Sequence, residues 1–184
     1  MAKLIYAAIC SLDGFVNDAN GNFDWAMPDE EVHEAANALE RGIGTYLYGR
    51  RMYEIMRVWG DFPSIEDEPD VVRDYAQIWS DADKYVFSSS LEEVTTARTQ
   101  LHREFDPEAV RQLKESAAAD LSIGGPTIAA AALQAGLVDE IHLFMHPILI
   151  GAGTPVFPAD FRQDLQLLDH RRFDSGVVHV HYRA

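Results

Sequence analysis

The stretch Asp120-Leu121-Ser122-Ile123-Gly124-Gly125-Pro126-Thr127, continued by Ile128 to Gln134, sets a short apolar strand against a glycine turn and an alanine-rich helix. Two glycines let the backbone approach a neighbour or a ligand closely. Pro126 or Thr127 opens the helix, whose free N–H groups and positive dipole end then face outward. Such a turn suits an anion, and it also serves plain chain reversal in any α/β protein. No Gly-x-Gly-x-x-Gly is present, so this is not the Rossmann fingerprint.

Working outward, the same alternation repeats towards the N-terminus. Leu4 to Cys10 is an apolar run closed by Ser11-Leu12-Asp13-Gly14, which predicts a buried first strand. Pro28 to Glu40 carries Val32, Ala35, Ala36 and Leu39 at helical spacing. Gly42 and Gly44 stop that helix, and Thr45 to Tyr48 follows as a second strand. Gly49 to Arg57 and Val71 to Trp79 read as helices, Lys84 to Ser88 as a third strand and Thr99 to His102 as a fourth. Asp106 is an N-cap with Pro107 at the first helical position. Gly60 to Asp70, with two prolines and five acids, reads as an exposed loop inside one domain.

Towards the C-terminus, Glu140 to Ile150, Gln166 to Phe173 and Val177 to Arg183 are strands, the last two joined at Asp174-Ser175-Gly176. Alternating strands and helices predict a mostly parallel α/β sheet with helices on both faces. The closing run of strands predicts an antiparallel addition that a flavodoxin-like domain lacks. The expectation is one three-layer domain over residues 1–184.

Composition narrows the function. Hydrophobic residues make up 47% and charged residues 24% of 184 positions, as in an ordinary globular domain. The net charge of −15 repels nucleic acid, whose binding depends on neutralising phosphates. No apolar run approaches the roughly 18 residues of a membrane span. Met1-Ala2-Lys3-Leu4 does not open a signal peptide, and the single Cys10 excludes an intrachain disulfide. A cytoplasmic protein is expected.

The histidines do not suggest a metal. His142 and His146 stand roughly 13 Å apart along an extended strand. His179 and His181 share one face of the last strand, and no His-x-x-x-His pair falls on a helix. No metal site is therefore expected. Gly-x-Ser-x-Gly is missing, which argues against a serine hydrolase.

Three strand-to-turn junctions suit phosphates: Gly124 to Thr127, Tyr48-Gly49-Arg50-Arg51, and Phe87-Ser88-Ser89-Ser90. Arg50 and Arg51 offer two forked cations in an acidic chain, unless one simply pairs with Glu54 along its helix. Serines at such a place are usually turn formers. All three junctions fall at the carboxyl ends of strands, where open α/β sheets bind ligands, so they are expected to face one crevice.

The ordered set Ser11-Leu12-Asp13-Gly14, Phe23-Asp24-Trp25, Gly49-Arg50-Arg51-Met52-Tyr53-Glu54, Val86-Phe87-Ser88, Ile123-Gly124-Gly125 and Gly136 to Glu140 ends with Pro147 to Gly153. That set resembles the dihydrofolate reductase superfamily over roughly residues 3 to 183. The branch it is most similar to holds the reductase domain of bacterial riboflavin biosynthesis. The resemblance implies a dihydrofolate-reductase-like α/β sandwich with an antiparallel C-terminal strand, NADPH as hydride donor, and a homodimer.

Carried over by position, Gly49, Arg50 and Arg51 serve the adenosine phosphates, and Ser88 and Ser89 the adenine-side ribose or its 2′-phosphate. Gly124, Gly125, Pro126 and Thr127 hold the pyrophosphate, and Ala8 and Val16 border the nicotinamide. The family usually places a hydroxyl two positions after the Gly-Arg pair, where this chain has Met52. On the substrate side the resemblance implies a carboxylate on the first helix, with Asp13, Trp25 and His33 as further contacts. Counting from Trp25 and Pro28 favours Glu30, whereas helical geometry at ~100° per residue favours Asp29. Both acids also suit the positive end of a helix.

The expected function is NADPH-dependent reduction of a small heterocycle, pterin- or aminopyrimidine-like. One alternative is the riboflavin-pathway reductase of 5-amino-6-(5-phosphoribosylamino)uracil. That domain is commonly fused to a deaminase, whose zinc-ligand cysteines this chain lacks. A non-enzyme alternative is an NADP-binding regulatory protein or a structural dimer module.

Overall fold

The computed structural model describes residues 1–60 and 67–184. β1 (Leu4–Ser11) is apolar on both faces: Leu4, Tyr6 and Cys10 join one core, while Ile5 and Ile9 join the cores behind it. A strand of that kind belongs inside a sheet covered on both sides. It sits between β6 (Asp120–Gly124) and β7 (Glu140–His146), parallel to each. Beyond β6 follow β3 (Ile43–Gly49), β4 (Asp83–Phe87) and β5 (Thr99–His102), all parallel. Beyond β7 follow β10 (Val178–Arg183), antiparallel to its neighbours, and β9 (Gln166–Arg172) at the edge. The eight-stranded sheet therefore has the mostly parallel form with an antiparallel C-terminal strand that the sequence predicts.

α1 (Glu30–Glu40), α2 (Arg50–Met56) and α3 (Asp70–Asp81) pack on one face, around Val32, Tyr53 and Trp79. α4 (Pro107–Ser116) and α5 (Pro126–Gln134) pack on the other, around Val110, Ile128 and Leu133. Ala129 and Ala132 are fully buried, and their small side chains let α5 lie close against the sheet. As predicted, Pro107 opens α4 behind its cap, and the Asp106 carboxylate accepts from Glu108 N at 2.9 Å.

Two differences from the sequence reading have physical causes. β7 ends at His146 rather than Ile150, because Pro147 brings no N–H and Ile148 N instead donates to His146 O at 2.8 Å. β2 (Phe15–Asp18) and β8 (Gly153–Pro155) form a small antiparallel sheet that the sequence does not announce. Each is too short to show a period of two, and Asn17 and Thr154 lie 137 positions apart. The loop expected over Gly60 to Asp70 lies largely outside the described residues. No helix among the described residues is long and apolar enough to cross a membrane.

The connection from β1 to β3 steps over β6, while the connection from β6 to β7 steps over β1 in the opposite direction. That reversal falls at the carboxyl ends of β6 and β1, the position where open α/β sheets form a ligand crevice.

Candidate functional site

Register places the three expected phosphate junctions side by side. Gly49 of β3 is opposite Phe87 of β4, and Tyr48 is opposite Gly124 of β6. The turns after β4, β3 and β6 are thus consecutive along one rim, as the sequence reading requires. From β4 across to β7 is four interstrand steps, roughly 19 Å at the usual spacing, on the order of an extended dinucleotide.

The glycines of the central turn are required by packing. A Cβ on Gly124 would lie 3.0 Å from the Tyr48 ring and 3.2 Å from Met52 Cγ, and one on Gly125 would lie 3.3 Å from Met52 Cβ. Gly125 also has φ +100°, which favours glycine. Met52 therefore fills the space beneath the turn, which gives an apolar residue a structural reason to stand there. Pro126 and the exposed Thr127 start α5 above it, and Ala129 N is bonded back to Gly125 O at 3.0 Å. The amides of Thr127 and Ile128 belong to the open first turn.

The two arginines differ. Arg50 is held by Glu54 at 3.0 Å and by Ser90 Oγ at 3.1 Å, bridging α2 to the turn after β4. Arg51 is exposed and has no hydrogen bond or ion pair among the described residues. The two serines differ as well. Ser88 is buried and its hydroxyl accepts from Leu91 N at 2.9 Å and Ser90 N at 3.3 Å, the usual work of a turn serine, whereas Ser89 is exposed.

At the other end of the crevice, a pocket of about 310 Å³ is lined by Trp25, Asp29, His146, Ile148, Ser175 and Val177 among others. Asp29 is the N-cap of α1, its Oδ1 accepting from Val32 N at 2.9 Å. That bond, followed by one from the Ser175 hydroxyl, holds its carboxyl below the usual range. His146 stands at the end of β7, edge-on to Trp25 with ring centroids 5.9 Å apart. Burial lowers the His146 pKa, and the nearby Asp29 charge opposes that shift only in part. Trp25 Nε1 and His146 Nε2 are both enclosed and have no hydrogen-bond partner among the described residues. An indole donor, an imidazole nitrogen and a carboxylate therefore converge on one space, a set that suits a flat, polar heterocycle.

The other predicted substrate residues lie elsewhere. Glu30 is exposed and does not line the pocket. Asp13 uses its carboxylate to fasten a loop, accepting from Ser11 Oγ at 2.6 Å, Gly151 N at 2.7 Å and Ile150 N at 3.1 Å. His33 is one turn further along α1 and packs between Trp59 and Tyr75 in the groove towards α3. Ala8 and Val16 pack against the core on the α5 side of the sheet. The sequence reading missed His146 and Ser175. The signal for His146 is a histidine at a strand's carboxyl end beside Pro147, while Ser175 is an ordinary turn residue until the fold brings it to Asp29.

The mostly parallel sheet, covered on both faces and closed by antiparallel C-terminal strands, is a dihydrofolate-reductase-like fold. The chain belongs to the RibD C-terminal domain family, which it matches over residues 2–179. It is 30% identical over 183 residues to the uncharacterized protein YyaP of Bacillus subtilis (strain 168), covering 98% of this chain and 94% of that one. Its fold is similar to that of a Shewanella sp. PV-4 protein named for riboflavin biosynthesis, with a TM-score of 0.77 at 22% identity, covering 100% and 99% of the two chains. It is similar too to dihydrofolate reductase from Enterococcus faecalis complexed with NADP(H), with a TM-score of 0.60 at 13% identity, covering 98% and 94%.

Proposed function

We propose that this protein is an NADPH-dependent reductase of a small aminopyrimidine-like heterocycle. The observation that carries the reading is the single rim on which an anion-binding end and a polar heterocycle pocket meet. Family membership favours an aminopyrimidine over a pterin. The residues present fit the dinucleotide: Arg51 and Ser89 are exposed at the turns after β3 and β4, on the rim that continues to the first turn of α5, and the enclosed Trp25 and His146 nitrogens have no hydrogen-bond partner among the described residues.

When bound, NADPH supplies the hydride. The protein binds its phosphates through Gly49, Arg50, Arg51, Gly124, Gly125, Pro126 and Thr127, with Ser88 shaping the turn that presents Ser89. Ala8 and Val16 form the apolar border at the nicotinamide end. Asp29 anchors the ring nitrogens of the substrate, and Trp25 N–H donates to an acceptor on it. The Nε2 of His146 holds or relays the proton that accompanies reduction. Orientation by these groups aligns the electrophilic carbon.

The chain forms a homodimer in this reading, because β9 is an open edge strand whose Leu167 is 50% exposed. NADPH oxidation followed across a panel of aminopyrimidines and pterins tests the activity. Tight NADPH binding with no oxidation across that panel would leave a binding protein instead. Light scattering tests assembly, and a mass near 20.6 kDa at micromolar concentration overturns the dimer.

A further inference from the structure

The sequence argument against a metal compares histidines along one strand. Antiparallel pairing brings a different set together. His142 on β7 is directly opposite His181 on β10, and Glu140 lies two residues before His142 on the same face. A residue pair at i and i+2 with a third across the strand gathers three side chains on one patch of sheet.

One carboxylate oxygen of Glu140 and one ring nitrogen from each of His142 and His181 all lie within 4.8 Å of one another. Glu140 Oε2 is 3.2 Å from His181 Nε2 and 3.9 Å from His142 Nε2. Both Nε2 atoms are enclosed, and among the described residues neither makes a hydrogen bond of good geometry. Orphaned nitrogens of that kind are uncommon, because an unpaired buried polar atom is costly. His142 is 5% exposed, and His181, with a side chain 21% exposed, is the most open of the three.

The surroundings already have the form that metal ligands need. His142 Nδ1 is 3.0 Å from His179 Nε2, so a proton donated there leaves Nε2 of His142 with its lone pair. Lys3 Nζ holds the other oxygen of Glu140, Oε1, at 2.7 Å and leaves Oε2 directed at the histidines. Tetrahedral binding at ~2.05 Å places ligand atoms about 3.4 Å apart. Atoms now within 4.8 Å need to close by at most ~1.4 Å. The rings of His142 and His181 stack at 3.9 Å with planes 20° apart, and opening that tilt is the movement required.

We propose that Glu140, His142 and His181 bind one divalent transition cation of the zinc class, with a fourth position open to solvent. Two imidazoles and a carboxylate are the ligand chemistry of that class rather than of magnesium or calcium. The site lies on the face of the sheet that carries α1, at the amino-terminal half of β7, away from the crevice at the carboxyl end. It joins β10 to β7 and so clamps the C-terminal hairpin to the parallel sheet. This inference does not depend on the proposed reductase activity.

The test uses the full chain, stripped by chelator and titrated with Co²⁺ and then with competing Zn²⁺. The expected result is one cobalt per chain with the strong visible bands of a low-coordinate site, displaced by zinc. His181→Ala removes the bands and weakens zinc binding by at least about 100-fold, more than the 10–100-fold expected when His179→Gln disturbs only the supporting contact. His170→Ala, on the exposed edge strand, leaves binding unchanged. Circular dichroism checks folding, and Glu140→Gln replaces His181→Ala if that variant does not fold. Absence of the bands in the parent protein, or equal affinity in the parent and a folded ligand variant, overturns the proposal.

Discussion

The two ends of the crevice are built differently. At the end formed by β4, β3 and β6, the chain offers backbone, glycine and a helix start, and the ligand-facing atoms come from short contiguous stretches such as Gly124 to Thr127 and Gly49 to Arg51. At the end formed by β1 and β7, Trp25 and Asp29 from the stretch leading into α1, His146 from β7 and Ser175 from the β9–β10 turn meet only when the sheet closes. The first end offers guanidinium groups and the free amides of a helix start, which suit phosphate oxygens. The second holds groups whose protonation the fold has shifted. In the proposed reaction the two ends divide the labour, with binding at one and proton handling at the other.

The largest effect that sharpens this contrast falls on Asp29. Asp29→Asn keeps a capping oxygen for Val32 N but removes the charge, and is expected to lower turnover roughly 10²–10⁴-fold, the worth of a positioned acid or base. NADPH affinity stays within about threefold, under ~1 kcal/mol. Glu30→Gln, outside the pocket, leaves turnover near that of the parent. Normal rates in Asp29→Asn would make this carboxylate a helix cap and nothing more. The same end carries the pH dependence. His146 is lowered from the ordinary value of 6.5, so its ring is neutral at pH 7 and gains a proton only further into acid. Because His146 supplies the proton in the proposed reaction, kcat/KM is expected to fall as pH rises through that lowered value, and this limb is lost in His146→Gln. A limb unchanged in that variant would move the titrating group elsewhere.

The arginines test the other end. The paired change Arg50→Ala, Arg51→Ala is expected to erase most of a preference for NADPH over NADH, at roughly 1.5–3 kcal/mol per charge-assisted bond or about ten- to hundredfold. Taken singly, Arg51→Ala weakens NADPH more than Arg50→Ala, because Arg50 already spends part of its fork on Glu54 and Ser90. Turnover at saturating NADPH stays close to the parent value. Equal affinity of the parent protein for both cofactors would remove these arginines from the 2′-phosphate.

The contrast also explains what was legible beforehand. The phosphate end is written in local signals: a glycine pair before a proline-started helix, adjacent arginines, hydroxyls after a strand. The alternation of strands and helices carries the sheet order as far as its parallel class and its antiparallel close. The substrate end is not local. Trp25 and Asp29 were reachable through their nearness to the first helix, but nothing near His146 or Ser175 in the chain says that they face the same space. His33, expected among the substrate contacts, lies one turn past Asp29 and is drawn into the α1–α3 groove by Trp59 and Tyr75. Cross-strand pairs were hidden for the same reason, since the meeting of His142 and His181 depends on register rather than spacing.

The smallest expected effect separates two neighbouring serines and bears on how far the phosphate end is a matter of backbone. Ser88 is 8% exposed and its hydroxyl accepts from two amides of its own turn, at 2.9 and 3.3 Å. Removing it leaves those amides to find other partners, so Ser88→Ala is expected to lower stability by about 1 kcal/mol, a usual net value for such bonds. NADPH affinity then changes by less than about twofold, under ~0.5 kcal/mol. Ser89 is exposed and makes no hydrogen bond among the described residues, so Ser89→Ala leaves the urea midpoint where it was and weakens NADPH a few-fold. Urea melts and cofactor titrations on the two variants read both quantities. If Ser88→Ala instead weakens NADPH about tenfold (~1.4 kcal/mol) with no loss of stability, its hydroxyl is on the cofactor and the turn is not the scaffold described. The phosphate end would then depend on side chains as fully as the substrate end does.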